Sequence, residues 1–172
     1  MKELLIKISQ LAIRRADPNI IIKEEQKQTG WLGNAPATIE EIDELETRLN
    51  VRFPEDYKEF LNLCNGFSAP NHIEPSFLPA QEVTWLKDVD PSLVEIWNTE
   101  ELRDIGQQLE RSIIIAGIEE EQYLLLIPPF EHVGWSYWKF ANWHPGEHAY
   151  GGLEEYFKDV LTFMEDLENK EN

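Results

Sequence analysis

A chain of 172 residues that is 42% hydrophobic and 11% aromatic holds enough apolar material for one sizeable core, which excludes global disorder. Its formal net charge of −18, from 33 acids against 15 Lys and Arg, repels polyanions. Nucleic acid and anionic membrane are therefore not expected as partners, whereas basic proteins are.

The charge is uneven. Residues 1–36 hold Lys2, Lys7, Arg14, Arg15, Lys23 and Lys27 against four acids, so nearly all the negative charge lies in the body from residue 37 onward. A basic N-terminal arm docked on an acidic body is expected, giving a helical or extended extension over 1–36 and one domain over 37–172. Acids and bases interrupt the N-terminal apolar stretch, unlike a secretory leader. No apolar run reaches the roughly 18 residues of a membrane span. The single cysteine, Cys64, permits no internal disulfide, which fits a reducing cytoplasm.

Leu4, Leu5, Ile8, Leu11 and Ala12 recur at helical spacing, and Pro18 closes that segment. "NIIIK" reads as a short strand and "QTGWLGNAPAT" as an extended connector with Trp31 and Leu32 tucked inward. Thr38 and Glu41 form a capping box, followed by Ile39, Ile42, Leu45 and Leu49 on one face. Pro54 suits the first position of the next helix, with Glu55 and Asp56 complementing its dipole. Tyr57, Phe60, Leu61 and Cys64 supply its stripe, and Asn65-Gly66 a left-handed stop. The two helices must pack as a hairpin.

The stretch from Phe67 to Pro79 reads as loop, with "SFLP" as a possible strand. "AQEVTWLKDV" and "PSLVEIWNTEELRDIGQQL" read as helical. "SIIIAG" and "YLLLIP" flank the polar "IEEEQ" as a β-hairpin, and "GWSYWKF" alternates as a further strand. An acidic amphipathic helix with Leu153, Phe157, Val160, Leu161, Met164 and Leu167 inward closes the chain. Helices, then a strand meander, then a helix predict an α+β fold: a mainly antiparallel sheet of about four to six strands, covered by helices on one side.

Chemistry is sparse. No phosphate-binding glycine motif or nucleophile elbow occurs. His72-Ile73-Glu74 matches half of a zinc-deaminase signature, whose Cys-x-x-Cys half is impossible with one cysteine. Cys64, on an apolar stripe, reads as core filling. His144, Glu147 and His148 are the one set worth testing for a metal or acid–base role, although Pro145-Gly146 break the helix that would align them. The sequence implies no cofactor. Glu119, Glu120 and Glu121 form a solvated turn or an acidic hook for a basic partner. Trp135, Tyr137 and Trp143 are aromatics that would act as contacts if exposed.

The block "ATIEEIDELETRLNVRFPEDYKEFLNLCNGF" resembles the signature of the SUKH superfamily, which includes fungal cell-wall synthesis regulators and bacterial toxin-immunity proteins. Ile42, Glu46 and Leu49 fit its first helix, with Thr38 and Glu41 as the cap. Phe53, Pro54, Tyr57, Phe60, Leu61, Asn65 and Gly66 fit the second. "IIIAGIEEEQYLLL" resembles the family's hairpin, and Phe157 and Leu161 its closing helix, so the likeness covers about residues 37–167. The chain departs from the pattern at Glu119–Gln122, where the family often has a second glycine, and residues 1–36 lie outside it.

The resemblance implies a non-enzymatic α+β protein-binding module, most often one that neutralises a nuclease- or deaminase-type toxin. The alternative is a regulatory or scaffolding module for a cellular partner. It assigns no contact residues, because family members vary in their contact surfaces. A nuclease cleft that attracts a polyanion is basic, and an acidic body complements it.

Overall fold

The computed structural model describes residues 1–141 and 147–171. Helix α1 (Lys2–Arg15) follows the apolar spacing: Leu5, Ile8, Leu11 and Ala12 are buried, and Ala16 ends it in a left-handed conformation. In place of the expected strand, residues 19 and 20 form a turn and bend and 21–23 are irregular, and Ile21 is 92% exposed. Asp17 organises that turn by accepting the Asn19 amide at 2.9 Å, which carries the isoleucines away from the sheet they would need for pairing. The short helix α2 (Glu24–Thr29) was not anticipated. Its buried Gln26 holds it in place, donating to Leu32 O (2.9 Å) and Ser68 Oγ (2.8 Å) while accepting from the Lys23 amide.

Helix α3 (Ile39–Leu49) starts as the capping box dictates: Glu41 N donates to Thr38 Oγ1 at 3.2 Å and Thr38 N to Glu41 Oε2 at 2.8 Å. Ile39, in the first turn, faces solvent and not the core. Buried Glu46 accepts from Phe53 N (2.8 Å) and pairs with Arg52, securing the turn into α4 (Glu55–Leu63). Pro54 is the cap, one residue before its expected place. The stop also differs. Cys64 leaves α4 in an extended conformation, because the following amide, Asn65 N, donates to Ala35 O and Asn34 N to Gly66 O. Gly66, with φ 98°, turns the chain there; a Cβ would lie 2.9 Å from Asn34 Nδ2.

Strand β1 (Thr84–Trp85) lies within a segment expected to be helical, and only α5 (Leu86–Val89) is. Pairing of Thr84 with Ile114 overrides local propensity. Helices α6 (Pro91–Trp97) and α7 (Arg103–Glu110) precede the strands β2 (Ile113–Ala116), β3 (Gln122–Ile127), β4 (Ser136–Ala141) and β5 (Glu147–Tyr150). Helix α8 (Leu153–Glu171) closes the chain. The five strands form one antiparallel sheet in chain order. The fold is α+β, as expected.

Register assigns the faces. Leu124, Leu126, Tyr137, Lys139 and Tyr150 lie beneath α4 and α8, where Tyr137 Oη donates to Asp56 (2.8 Å) and Tyr150 Oη to Asp159 (3.1 Å). On the other face Phe140 meets Trp97 edge-on at 5.1 Å, and Tyr123 Oη donates to Asp90 (3.3 Å). All four β2 residues are consequently buried. The sheet is sandwiched, not covered on one side, as an unbroken apolar run such as Ile113–Ile115 requires.

The arm is part of the core. The buried stripe of α1 joins the same apolar cluster as α3, α4 and α8. Arg14 forks onto Glu168 at 2.8 and 3.1 Å, the basic-on-acidic docking anticipated from charge, and this holds the Glu168 carboxyl below its ordinary value.

Candidate functional site

Loop 68–79, which carries Pro70, Pro75 and Pro79, meets the sheet through an isolated bridge from Phe77 to Ala116, at the place of the strand expected in "SFLP". Its earlier residues need other backbone partners. Asn71 supplies them. Its Oδ1 accepts the amides of Ile73 (2.8 Å) and Glu74 (2.9 Å), a tight turn that swings Glu74 inward. Buried Glu74 then accepts from Lys139 Nζ at 2.6 Å and Tyr156 Oη at 2.9 Å. One carboxylate thus fastens the loop to β4 and to α8.

A second wall is the β2–β3 turn. Gly117 opens it at φ 93°, where a Cβ would lie 1.9 Å from Gln122 O, so no other residue fits without moving the backbone. Both Glu120 carboxylate oxygens accept from Ser76 N, at 3.2 and 3.0 Å, which pins the turn to the loop. The third wall is the N-terminal turn. Asp17 Oδ2 lies 2.6 Å from His72 Nδ1 and accepts from His72 N at 3.3 Å. Burial works to raise the Asp17 carboxyl, but hydrogen bonds from His72 and Asn19 outweigh it and hold the group at about 2.

These walls enclose an open cleft of about 440 Å³ lined by Asn19–Ile21, the 68–76 loop, and Glu120–Gln122. Ile73 and Glu74 also line a second cavity of about 330 Å³, where Asp159 and Asp166 form part of the wall with Tyr150 and Lys139. The charge of the cleft is one-sided: Glu74, Glu120 and Glu121 line it with no Lys or Arg among the described lining residues, and Lys139 is already paired with Glu74. The acids act on the phenols behind them. Burial, then the charge of Glu74, pushes the Tyr156 hydroxyl far above its ordinary range, and Glu120 adds to the rise. Burial and the Asp159 hydrogen bond do the same at Tyr150. These phenols stay protonated donors.

Cys64 is buried, and its thiol is pushed up to about 12 by that burial, which suits core filling and not a nucleophile. Among the described residues no three His, Cys, Asp or Glu side chains converge to hold a metal ion. Of the proposed set His144, Glu147 and His148, His144 and the Glu147 side chain lie outside the described residues; His148 is exposed on β5 with its ring 4.5 Å from that of Tyr150.

Of the acidic hook, Glu120 and Glu121 line the cleft, and Glu119 takes the left-handed position of the turn at φ 63°. Trp135 is half-buried and stacks on Phe53 at 5.9 Å. Tyr137 is a correction: it is 1% exposed, because its strand position faces α4 and its hydroxyl serves Asp56, so no partner reaches it. Trp143 lies outside the described residues. The signature positions Phe53, Tyr57, Phe60 and Leu61 are all core, and Asn65 Oδ1 accepts from Ala80 N at 2.6 Å. Sequence reasoning missed Asp17, Asn71 and Glu74. The signal was present in "APNHIEPS", an Asn two and three residues ahead of two amides between prolines.

Among the described residues no helix is long and apolar enough to cross a membrane. No curated protein matches the chain. The model of the SMI1 / KNR4 family (SUKH-1) matches residues 36–167, most of the chain and the whole of the helical hairpin, sheet and cleft apart from the wall that residues 17–21 contribute. The chain therefore belongs to the SMI1 / KNR4 family (SUKH-1).

Proposed function

We propose that the protein is a non-catalytic binding module that acts in the cytoplasm as an immunity protein, neutralising a nuclease- or deaminase-type toxin by occupying its basic surface. The observation that carries this reading is the cleft: three carboxylates and no unpaired cation among its described lining residues, on a family scaffold of net charge −18. Such a surface attracts a cationic partner at long range and aligns it on approach. Family membership supports a protein-binding role, and the paired or buried state of Cys64, Glu74, Tyr150 and Tyr156 suits structure better than turnover.

The test is co-expression. Cells producing the toxin candidate encoded beside this gene should survive with the wild-type chain and die with Glu120→Lys/Glu121→Lys. A neighbour that is harmless alone, or full rescue by the charge-reversed variant, would overturn the reading. A regulatory module for a cellular partner, which the family membership equally accommodates, would instead recover a housekeeping protein through the same cleft and lose it in the same variant.

A further inference from the structure

The cleft has a chemistry narrower than its charge. Resting on the reading above, we infer that it seats one arginine or lysine side chain of the partner protein, together with a backbone carbonyl next to it. One side of the cleft is apolar: Ile20, Ile21 and Ile73, with Ile21 almost wholly in solvent on a turn clamped by Asp17 and His72. The other side carries Glu120 and Glu121, with Glu74 behind. A long cationic side chain is divided in the same way, an aliphatic stem ending in a charged head.

Glu74 is paired with Lys139, but the other two carboxylates are not neutralised from within. Glu121 makes no hydrogen bond or ion pair among the described residues, and Glu120 accepts only the Ser76 amide. The carbonyl follows from a separate observation. Asn71, 5% exposed in the cleft wall, has its Oδ1 taken by two amides while its Nδ2 has no acceptor. A guest carbonyl seated against this wall would satisfy that unpaired donor.

The alternatives fail on one count each. An anion meets the uncompensated charges of Glu120 and Glu121, and an apolar group would strip water from carboxylates without replacing it. A bare divalent ion lacks three converging donors among the described residues. The volume, about 440 Å³, suits one side chain with its peptide groups and not a helix.

The probe is Nα-acetyl-arginine methylamide, titrated into the full chain and followed by proton–nitrogen correlation spectra, with Nα-acetyl-norleucine methylamide as the neutral control. The expected result is saturable binding on the order of millimolar, as one anchored side chain allows. Shifts should be confined to residues 19–21, 68–76 and 120–122 and to the Asn71 side-chain amide. Affinity should fall about fivefold or more in Glu120→Gln/Glu121→Gln, whose exposed positions leave the core intact. Linear, non-saturating shifts, shifts spread over the acids of α3 and α8, or an equal response to the control would overturn the inference. The titration needs no toxin, so the two readings fail separately. Arginine binding without cellular rescue refutes the toxin role alone, and rescue without arginine binding refutes the anchor alone.

Discussion

Replacing Lys139 with methionine tests whether Glu74 holds the cleft together. The Glu74 side chain is 4% exposed and its ion pair with Lys139 closes at 2.6 Å, so the substitution leaves a desolvated carboxylate with only the Tyr156 hydroxyl as donor. Stranding one member of a buried pair costs about 3–5 kcal/mol. The Lys139 head is 21% exposed, so water can partly replace it and the low end, about 3 kcal/mol, is expected. Glu74→Gln should cost about 1–2 kcal/mol, because an amide presents one oxygen where two donors now bind. The double variant should cost less than the sum, with a coupling of about 1–3 kcal/mol. Urea unfolding measures all three, the midpoint falling at constant slope. A Lys139→Met unfolding free energy within about 0.5 kcal/mol of wild type, or strict additivity, would refute the argument.

Gly117→Ala adds a Cβ 1.9 Å from a carbonyl at φ 93° and should lower stability by about 2–3 kcal/mol, a fall in Tm of roughly 4–12 °C by calorimetry. Thr38→Ala removes the acceptor for Glu41 N and should cost about 1 kcal/mol in the same assay. Asp17 is depressed in the folded state from 3.8 to about 2, so its stabilising contribution is complete above about pH 4 and lost as pH falls towards about 2. Asp17→Asn should shrink the gap to wild type over that interval in acid titrations followed by circular dichroism. Iodoacetamide should label native Cys64 only at the rate of unfolding, since its thiol sits up to about 12 and is buried. Fast labelling at neutral pH would place the thiol elsewhere.

Much of the scaffold was legible because its determinants are local. The Thr38–Glu41 box, the stripe Tyr57–Phe60–Leu61 and the run Ile113–Ile115 each specify an element within a few residues, and the structure has them there. Where local preference and long-range pairing compete, the reading failed. Thr84–Trp85 looked helical until Ile113 and Ile114 were beside it, and β5 sits in a stretch dominated by Pro145 and Gly146. The candidate site was half legible. Glu120 and Glu121 announced themselves as charge, but Glu74 stood in a triplet already set aside as a broken metal motif. Its partners Lys139 and Tyr156 lie 65 and 82 residues away, beyond any pattern in one sequence.

Those separations also order events in time. Each wall of the cleft is tied by a contact that spans a long stretch of chain: 44 residues from Ser76 to Glu120, 55 from Asp17 to His72 and 82 from Glu74 to Tyr156. A nascent chain can form α3 and α4 as soon as they emerge, whereas the cleft waits for the C-terminal helix. The cleft is therefore assembled only once α8 has been made, and a product truncated before that helix would lack it. Pulse-labelled hydrogen exchange during refolding should find the Ile73 and Glu74 amides among the last protected; protection ahead of β3 and β4 would contradict this order.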